Sequence, residues 1–198
     1  MRSLNNLLKN ILSCRECEAS LPLGPRPMLS VSESSIILIA GQAPGKKVHQ
    51  SGVPWDDISG DRLRAWLGVN STTFYDNTKI ALVPMGFCYP GTGKSGDLPP
   101  RKECQQIWHS QLLKHLTNIK LTILVGKYAQ DYHLGNNSKK NLTQTVLAWR
   151  EFAPTFYPIP HSSPRNQIWL KRNPWFESEL LPKLKQTVIK VLDPNVNG

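Results

Sequence analysis

The sequence lacks any apolar stretch long enough to cross a bilayer, and its first residues lack the apolar core of a secretory signal. It also lacks internal repeats and low-complexity tracts. A chain of 198 residues, of which 39% are hydrophobic, suits one domain with one sizeable core. We therefore expect residues 1–198 to form a single cytoplasmic domain that is monomeric and has no membrane partner. We expect residues 193–198 to be a frayed tail.

Acidic residues are few. The chain has 14 Asp and Glu against 24 Lys and Arg, which gives a formal net charge of +10 and a pI near 9.6. A surplus of positive charge favours a polyanionic partner such as DNA, because each neutralised phosphate releases counterions. The alternative is a basic surface without a partner.

Cysteine is also scarce, with four residues, and in a reducing compartment these are not expected to form disulfides. Cys14 and Cys17 have the spacing C-x₂-C, and Cys88 and Cys104 flank a segment rich in proline and glycine. They are either buried thiols or metal ligands, and a set of four cysteines suits zinc.

Apolar runs alternate with amphipathic patterns along the chain. The runs predict strands at 35–40, 80–83, 121–125 and 155–158. The amphipathic patterns predict helices at 4–13, 62–67, 101–116, 127–134, 142–149 and 176–192. This alternation predicts an α/β fold, a three-layer α/β/α sandwich around a four-stranded parallel sheet.

In such sheets ligands bind at the carboxyl ends of the strands. Four segments occupy those ends here: Gly41–Gly45, Pro84–Pro90, Gly126 and His161–Asn166. We expect the chemistry of the protein to lie there. In particular, we expect the loops that carry Gln42 and His161 to converge on one slot at this edge of the sheet.

Two of these segments carry motifs. Gly41-Gln-Ala-Pro-Gly45 follows the first predicted strand and His161-Ser-Ser-Pro-Arg165 follows the last. Their type and order resemble the uracil-DNA glycosylase superfamily, which has a Gly-Glx-x-Pro loop early and a His-Pro-Ser-Pro-like loop late. The resemblance runs from Cys14 to about Leu184. It implies a DNA glycosylase of base-excision repair that flips a damaged base out of DNA and hydrolyses its N-glycosidic bond.

The cysteines are placed as in the iron–sulfur branch of that superfamily, and the segment Gly52-Val-Pro-Trp-Asp-Asp-Ile-Ser-Gly60 is similar to that branch as well. The resemblance implies a [4Fe–4S] cluster held by four thiolates: Cys14, Cys17, Cys88 and Cys104. Zinc is the alternative for the same ligands. Either would tie the N-terminal helix to the loop after the second strand.

The resemblance assigns the stabilisation of the leaving base to His161, through a hydrogen bond to a base carbonyl. Gln42 has no ionisable group and can only hold water or contact the base. Ala43 stands where the best-known branch has a water-activating aspartate. We therefore expect Asp56 or Asp57 to position water, the alternative being that one of them caps a helix.

Contacts to the base are expected from the main chain of Gly41, Gln42 and Ala43 and from the ring of Trp55, which could stack on it. A core position is the alternative for Trp55. DNA contacts are expected from the loop that follows His161, through Ser162, Ser163, Arg165, Lys171 and Arg172.

One departure from the family pattern concerns specificity. The related branch reads uracil with an asparagine at the end of the second strand, and the matching position here is Pro84. Proline has no side-chain donor and no N–H. Asn166, Asn77 and Gln42 are possible substitutes. We therefore predict an active glycosylase for a deaminated, uracil-like or other damaged base. The first alternative is a non-catalytic module that binds damaged or single-stranded DNA. The second is a metal-bound scaffold for a protein partner.

Overall fold

The computed structural model describes residues 3–94, 96–193 and 195, and every structural statement concerns these residues. The tail expected at 193–198 lies outside the described part, apart from Asp193 and Asn195.

The centre of the fold is a parallel sheet of four strands in the order β2-β1-β5-β6. The strands, including a separate two-stranded hairpin of β3 and β4, are β1 Ile37–Ala40, β2 Ile80–Leu82, β3 Thr92–Gly93, β4 Gly96–Asp97, β5 Leu121–Val125 and β6 Phe156–Ile159. β1 lies between β2 and β5 and is buried along its whole length. Its run of Ile, Leu and Ala suits a strand that is covered on both faces.

Helices connect the strands. The α-helices are α1 Leu4–Leu12, α2 Lys46–Ser51, α3 Ile58–Leu67, α4 Ser71–Tyr75, α5 Lys102–Cys104, α6 Ser110–Leu113, α7 Lys127–Leu134, α8 Leu142–Leu147, α9 Gln167–Arg172 and α10 Leu181–Leu192. Two π-helical segments, Gln105–His109 and Phe176–Leu180, precede α6 and α10. No described helix is both long and apolar enough to cross a membrane.

Alternate residues of the strands face two different helical layers, as the pleat requires. Ile37 and Ile39 of β1 pack with side chains of α3, α4, α8, α9 and α10. Leu38 packs with α1 and α6, and Ala40 packs with α7. The predicted three-layer α/β/α sandwich around four parallel strands is therefore confirmed.

The last strand, β6, lies at the edge of the sheet and contains a proline. Pro158 lies within β6, which pairs only with β5, opposite Leu124. A proline lacks the N–H of the ladder and is tolerated where one side of the strand has no neighbour.

The structure differs from the sequence-based expectation mainly in short elements. The predicted helix at 101–116 is a continuous helical stretch with a π-segment, and it ends at Leu113. Three short helices and the hairpin were not predicted: α2, α4, α9 and β3–β4. Each is too short to show a full amphipathic period, so the apolar pattern does not reveal it.

Candidate active site

A cavity of about 250 Å³ opens at the carboxyl ends of the parallel strands. Both sequence motifs line it, the first through Gly41–Gly45 and the second through His161, Ser163 and Arg165. The expected convergence of the two loops is confirmed. Pro84 at the end of β2 and Trp55 before α3 complete the enclosure.

His161 is held in one orientation by its own loop. The backbone N–H of Ser163 donates to its Nδ1 at 3.1 Å, and the side-chain amide of Asn166 donates to its carbonyl oxygen at 2.7 Å. Since Nδ1 accepts a hydrogen bond, the proton of the neutral ring is on Nε2. Burial lowers the pKa of His161, while the negative charges of Asp57 and Asp97 oppose this shift. His161 is thus a neutral ring with an Nε2–H donor at the cavity.

Trp55 lies against His161, with ring centroids 5.6 Å apart and ring planes at 29°. Its backbone has a φ of 60°, the only positive value among the described non-glycine residues. Two glycines allow this position. A Cβ on Gly41 would lie 2.8 Å from Cζ2 of the indole, and one on Gly60 would lie 1.8 Å from the Trp55 carbonyl oxygen. The ring therefore forms a wall of the cavity while its edge also packs on the core.

Gln42 lines the cavity, but its side chain is engaged by the protein. Its Nε2 donates to the Leu98 carbonyl at 3.1 Å. The carbonyl oxygens of Gly41 and Gln42 accept from the N–H groups of Met85 and Gly86 at 2.8 and 2.9 Å. The first motif loop is thereby tied to the segment after β2. The Gln42 side chain thus has one protein partner; that it also holds water, and that the Gln42 backbone N–H contacts the base, stay predictions.

The two expected carboxylates differ in position. Asp57 lines the cavity and also caps α3, since its Oδ1 accepts from the Gly60 N–H at 2.9 Å. Asp56 is exposed and does not line the cavity. The helix-cap alternative thus holds for Asp57, and only Asp57 of the pair is placed to act on a bound nucleotide.

The expected DNA-contacting residues are not all at the surface. Ser162 has no exposed area, so it cannot reach a phosphate in this structure, and that expectation is corrected. Ser163 lines the cavity, and its Oγ accepts from the Arg165 N–H at 3.3 Å. Arg165 is exposed at the cavity, whereas Lys171 and Arg172 are exposed at the end of α9 and do not line it.

Of the three possible substitutes for the missing asparagine, only Gln42 lines the cavity, and its Nε2 donates to the Leu98 carbonyl. Asn166 and Asn77 do not line it, and the Asn166 amide donates to the His161 carbonyl. Asn77 lies at a different surface depression, beside Ser32 and Glu33. Pro84 itself lines the cavity, so the position that resembles the uracil reader presents an apolar ring.

Several residues that line the cavity were not predicted from the sequence. Asp97 reaches the cavity from the unpredicted β3–β4 hairpin, and Met28 and Val48 add apolar surface to it. Arg62 of α3 donates to the Ser163 carbonyl at 3.3 Å and supports the second motif loop from outside. These contacts join residues far apart in the chain, which periodicity and short motifs cannot reveal.

All four cysteines line a second, smaller cavity: Cys14, Cys17, Cys88 and Cys104. Burial raises the pKa of Cys88 to about 11 and that of Cys104 to about 12. Burial also raises the pKa of Cys17, against the opposing hydrogen bond of the Arg101 guanidinium. Within the described residues, no three Cys, His, Asp or Glu side chains lie close enough to hold one metal ion together.

The chain is similar to known proteins in sequence and in structure. The sequence matches the uracil DNA glycosylase superfamily over residues 30–185. The structure is similar to the solution NMR structure of a proposed uracil DNA glycosylase from Methanosarcina acetivorans, with 18% sequence identity and a TM-score of 0.46. That alignment covers 81% of this chain and 98% of the other. The family assignment rests on the sequence match, which spans most of the chain.

Proposed function

Because the chain belongs to the uracil-DNA glycosylase superfamily, we propose that it is a DNA glycosylase that releases a deaminated, uracil-like base by hydrolysis. The observation that carries this proposal is the convergence of both motif loops on one cavity, with the oriented ring of His161 among its lining residues. A flipped nucleobase needs a snug pocket with fixed hydrogen-bonding groups.

His161 would stabilise the leaving base. When the N-glycosidic bond breaks, its electron pair stays on the base, and negative charge spreads to the base carbonyl oxygens. A fixed neutral donor aimed at that charge contributes about 3 kcal/mol of transition-state stabilisation. The lowered pKa of His161 supports this role, because a ring that stays neutral keeps Nδ1 free to accept from Ser163 and Nε2–H free to donate.

The nature of the donor favours deaminated bases. Deamination replaces an exocyclic amino group with a carbonyl oxygen, so a donor that faced another donor now meets an acceptor. Trp55, at the side of the cavity, offers an aromatic face to a planar base. Pro84 provides no side-chain hydrogen bond, so we propose that discrimination among deaminated bases is weaker than in an enzyme with an asparagine at that position.

DNA would approach through the exposed cationic groups beside the cavity. Arg165 lines its mouth, and Lys171 and Arg172 follow on α9. With a net charge of +10, the chain would bind the phosphate backbone in a salt-dependent manner. Arg165 would contact the strand next to the flipped nucleotide.

The cysteine cavity supports the proposal of a resident [4Fe–4S] cluster. Four thiols from the N-terminal segment and from both ends of the Cys88–Cys104 segment meet there. Thiolates are the standard ligands of such clusters, and because four cysteines also suit a single zinc ion, zinc is the alternative occupant. Bound there, the cluster would crosslink these segments, and its iron atoms would bind the buried sulfur atoms.

The test is a panel of oligonucleotides that each carry one base: uracil, hypoxanthine, xanthine or an oxidised pyrimidine. Abasic product is revealed by strand cleavage with heat or alkali. We expect release from at least one deaminated base and none from undamaged DNA. Iron and sulfide analysis of the purified protein, with a visible absorption spectrum, tests the cluster. Colourless protein that contains zinc would contradict it.

A second function is favoured by two specific residues. Ala43 and Pro84 stand where relatives have a catalytic carboxylate and a uracil reader, so the chain could bind damaged DNA without cutting it. Salt-dependent binding of lesion-bearing DNA, with intact strands across the whole panel, would favour this module over the enzyme.

A further inference from the structure

Asp97 brings a carboxylate to the cavity from the β3–β4 hairpin. The residue is exposed and lines the cavity at the same time, which places it at the mouth. Its Oδ2 lies 3.4 Å from the position that a Cβ on Gly45 would occupy, beside the first motif loop. Its Oδ1 is 3.4 Å from the Thr92 hydroxyl, and none of the described Lys or Arg side chains forms an ion pair with it.

The hairpin is fixed between the two motif loops. The Gln42 side chain donates to the Leu98 carbonyl, and the Leu98 N–H donates to the Gly91 carbonyl at 2.8 Å. On the other side, Nη1 of Arg165 lies 2.6 Å from the position of a Cβ on Gly96. Asp97 is therefore held over the cavity by its neighbours on both sides.

The position of Asp97 differs from that of Asp57 in a way that matters for hydrolysis. One oxygen of Asp57 is committed to the α3 cap, and that residue is half-buried. Asp97 is at the mouth, where the sugar of a flipped nucleotide would pass while its base lies inside against Trp55 and His161. A water molecule that attacks the sugar must approach from this side, because the base occupies the interior.

We propose that Asp97 is the carboxylate that positions and deprotonates the attacking water, a role that the first motif leaves open because Ala43 has no ionisable group. This inference rests on the proposed function. The water oxygen bonds to C1′ of the deoxyribose as the C1′–N bond breaks. The bond electrons leave with the base, whose charge His161 stabilises. One water proton passes to Asp97 and then to solvent, the departing base takes a proton from solvent, and an abasic site with a C1′ hydroxyl remains.

The test is single-turnover base release by Asp97→Asn, with the best substrate of the lesion panel. We expect the rate constant to fall about 10²- to 10⁴-fold, the range of general-base catalysis, while the Kd for lesion-bearing DNA changes less than about threefold. Asp97→Glu should recover part of the rate. Glu177→Gln, which removes the same charge from an exposed position outside the cavity, should match the wild type.

Two further variants separate the alternatives. Thr92→Val removes the hydroxyl near Asp97 and keeps the carboxylate; a rate as low as that of Asp97→Asn would show that Asp97 only shapes the hairpin and would overturn the proposal. Asp57→Asn keeps an acceptor for the α3 cap and removes the charge. If Asp57→Asn is slow and Asp97→Asn is fast, the proposal is overturned and the proposed function stands. If the wild type releases no base, the proposed function itself is overturned.

Discussion

Residues between Pro84 and Cys104 line two cavities of different character. One is the proposed nucleobase cavity, which is shaped by hydrogen bonds within the protein, such as those from Ser163 to His161 and from Gln42 to Leu98. The other is the cysteine cavity, where burial raises the pKa values of the Cys88 and Cys104 thiols. The first cavity is preorganised by the chain itself, whereas the second contains buried polar groups that a metal cluster would satisfy.

This difference predicts that substitutions in the two cavities have different effects on catalysis and on stability. Damage to the first should lower catalysis and leave the fold intact, because its walls are loops at the ends of buried strands. Substitutions in the cysteine cavity should mainly lower the stability of the fold. A cluster bound by the cysteines would connect the N-terminal segment to the loop that ends in α5. Each prediction below tests one side of this contrast.

The largest effect on stability is expected from the cysteine cavity. The double variant Cys88→Ser and Cys104→Ser should lose iron and visible absorption. It should lower the free energy of unfolding by about 3 kcal/mol, the size of effect expected when a crosslink that closes a long loop is removed. Chemical denaturation with parallel metal analysis provides the measurement. A variant as stable as the wild type would show that the cavity holds no structural cluster.

A smaller effect is expected at the mouth of the nucleobase cavity. Arg165→Ala should weaken the binding of lesion-bearing duplex about tenfold and reduce the slope of log Kd against log salt by about 1, if one phosphate contact is lost. The control is Arg150→Ala, whose exposed guanidinium pairs with Glu179. If Arg165→Ala and Arg150→Ala had equal slopes of log Kd against log salt, the DNA would not contact Arg165.

The smallest effect is expected at His109. This fully buried ring stacks on Phe87, at 5.2 Å between centroids and 9° between planes. The backbone carbonyls of Pro84 and Met85 lie near enough to oppose the lowering of its pKa, but neither ring nitrogen forms a hydrogen bond of normal geometry to a described residue. His109→Phe should keep the stacking and remove the buried polar atoms. We expect it to stabilise the fold by about 1 kcal/mol at pH 7.

The pH dependence of the free energy of unfolding is a second measurement of the effect of His109→Phe. Burial lowers the pKa of His109 to about 4. In the unfolded chain His109 is therefore protonated below about pH 6.5, whereas in the folded chain it is protonated only below about pH 4. The wild type should therefore lose stability as the pH falls through this window, by about 1.4 kcal/mol per unit for this residue. The His109→Phe variant should lose less, and identical pH profiles would contradict the account.

The sequence predicted the parts of the fold that depend on local pattern. Buried strands follow from apolar runs such as Leu121–Val125, and the cavity position follows from motifs placed at the ends of parallel strands. Roles that depend on long-range contacts could not be predicted. Gln42 meets the Leu98 carbonyl, and Asp97 reaches the cavity through a hairpin with no apolar pattern. The burial of Ser162 likewise depends on packing around its loop, which a motif does not specify.

The central claim is that His161 stabilises the base as it leaves. Its most direct test is the single-turnover rate of base release from a deaminated oligonucleotide by the wild type and by His161→Ala, with the Kd of each measured in parallel. We predict free base from the wild type and a rate constant about 10²- to 10³-fold lower for the variant, at nearly unchanged affinity. Equal rates for the two proteins, or no free base from the wild type, would contradict the claim.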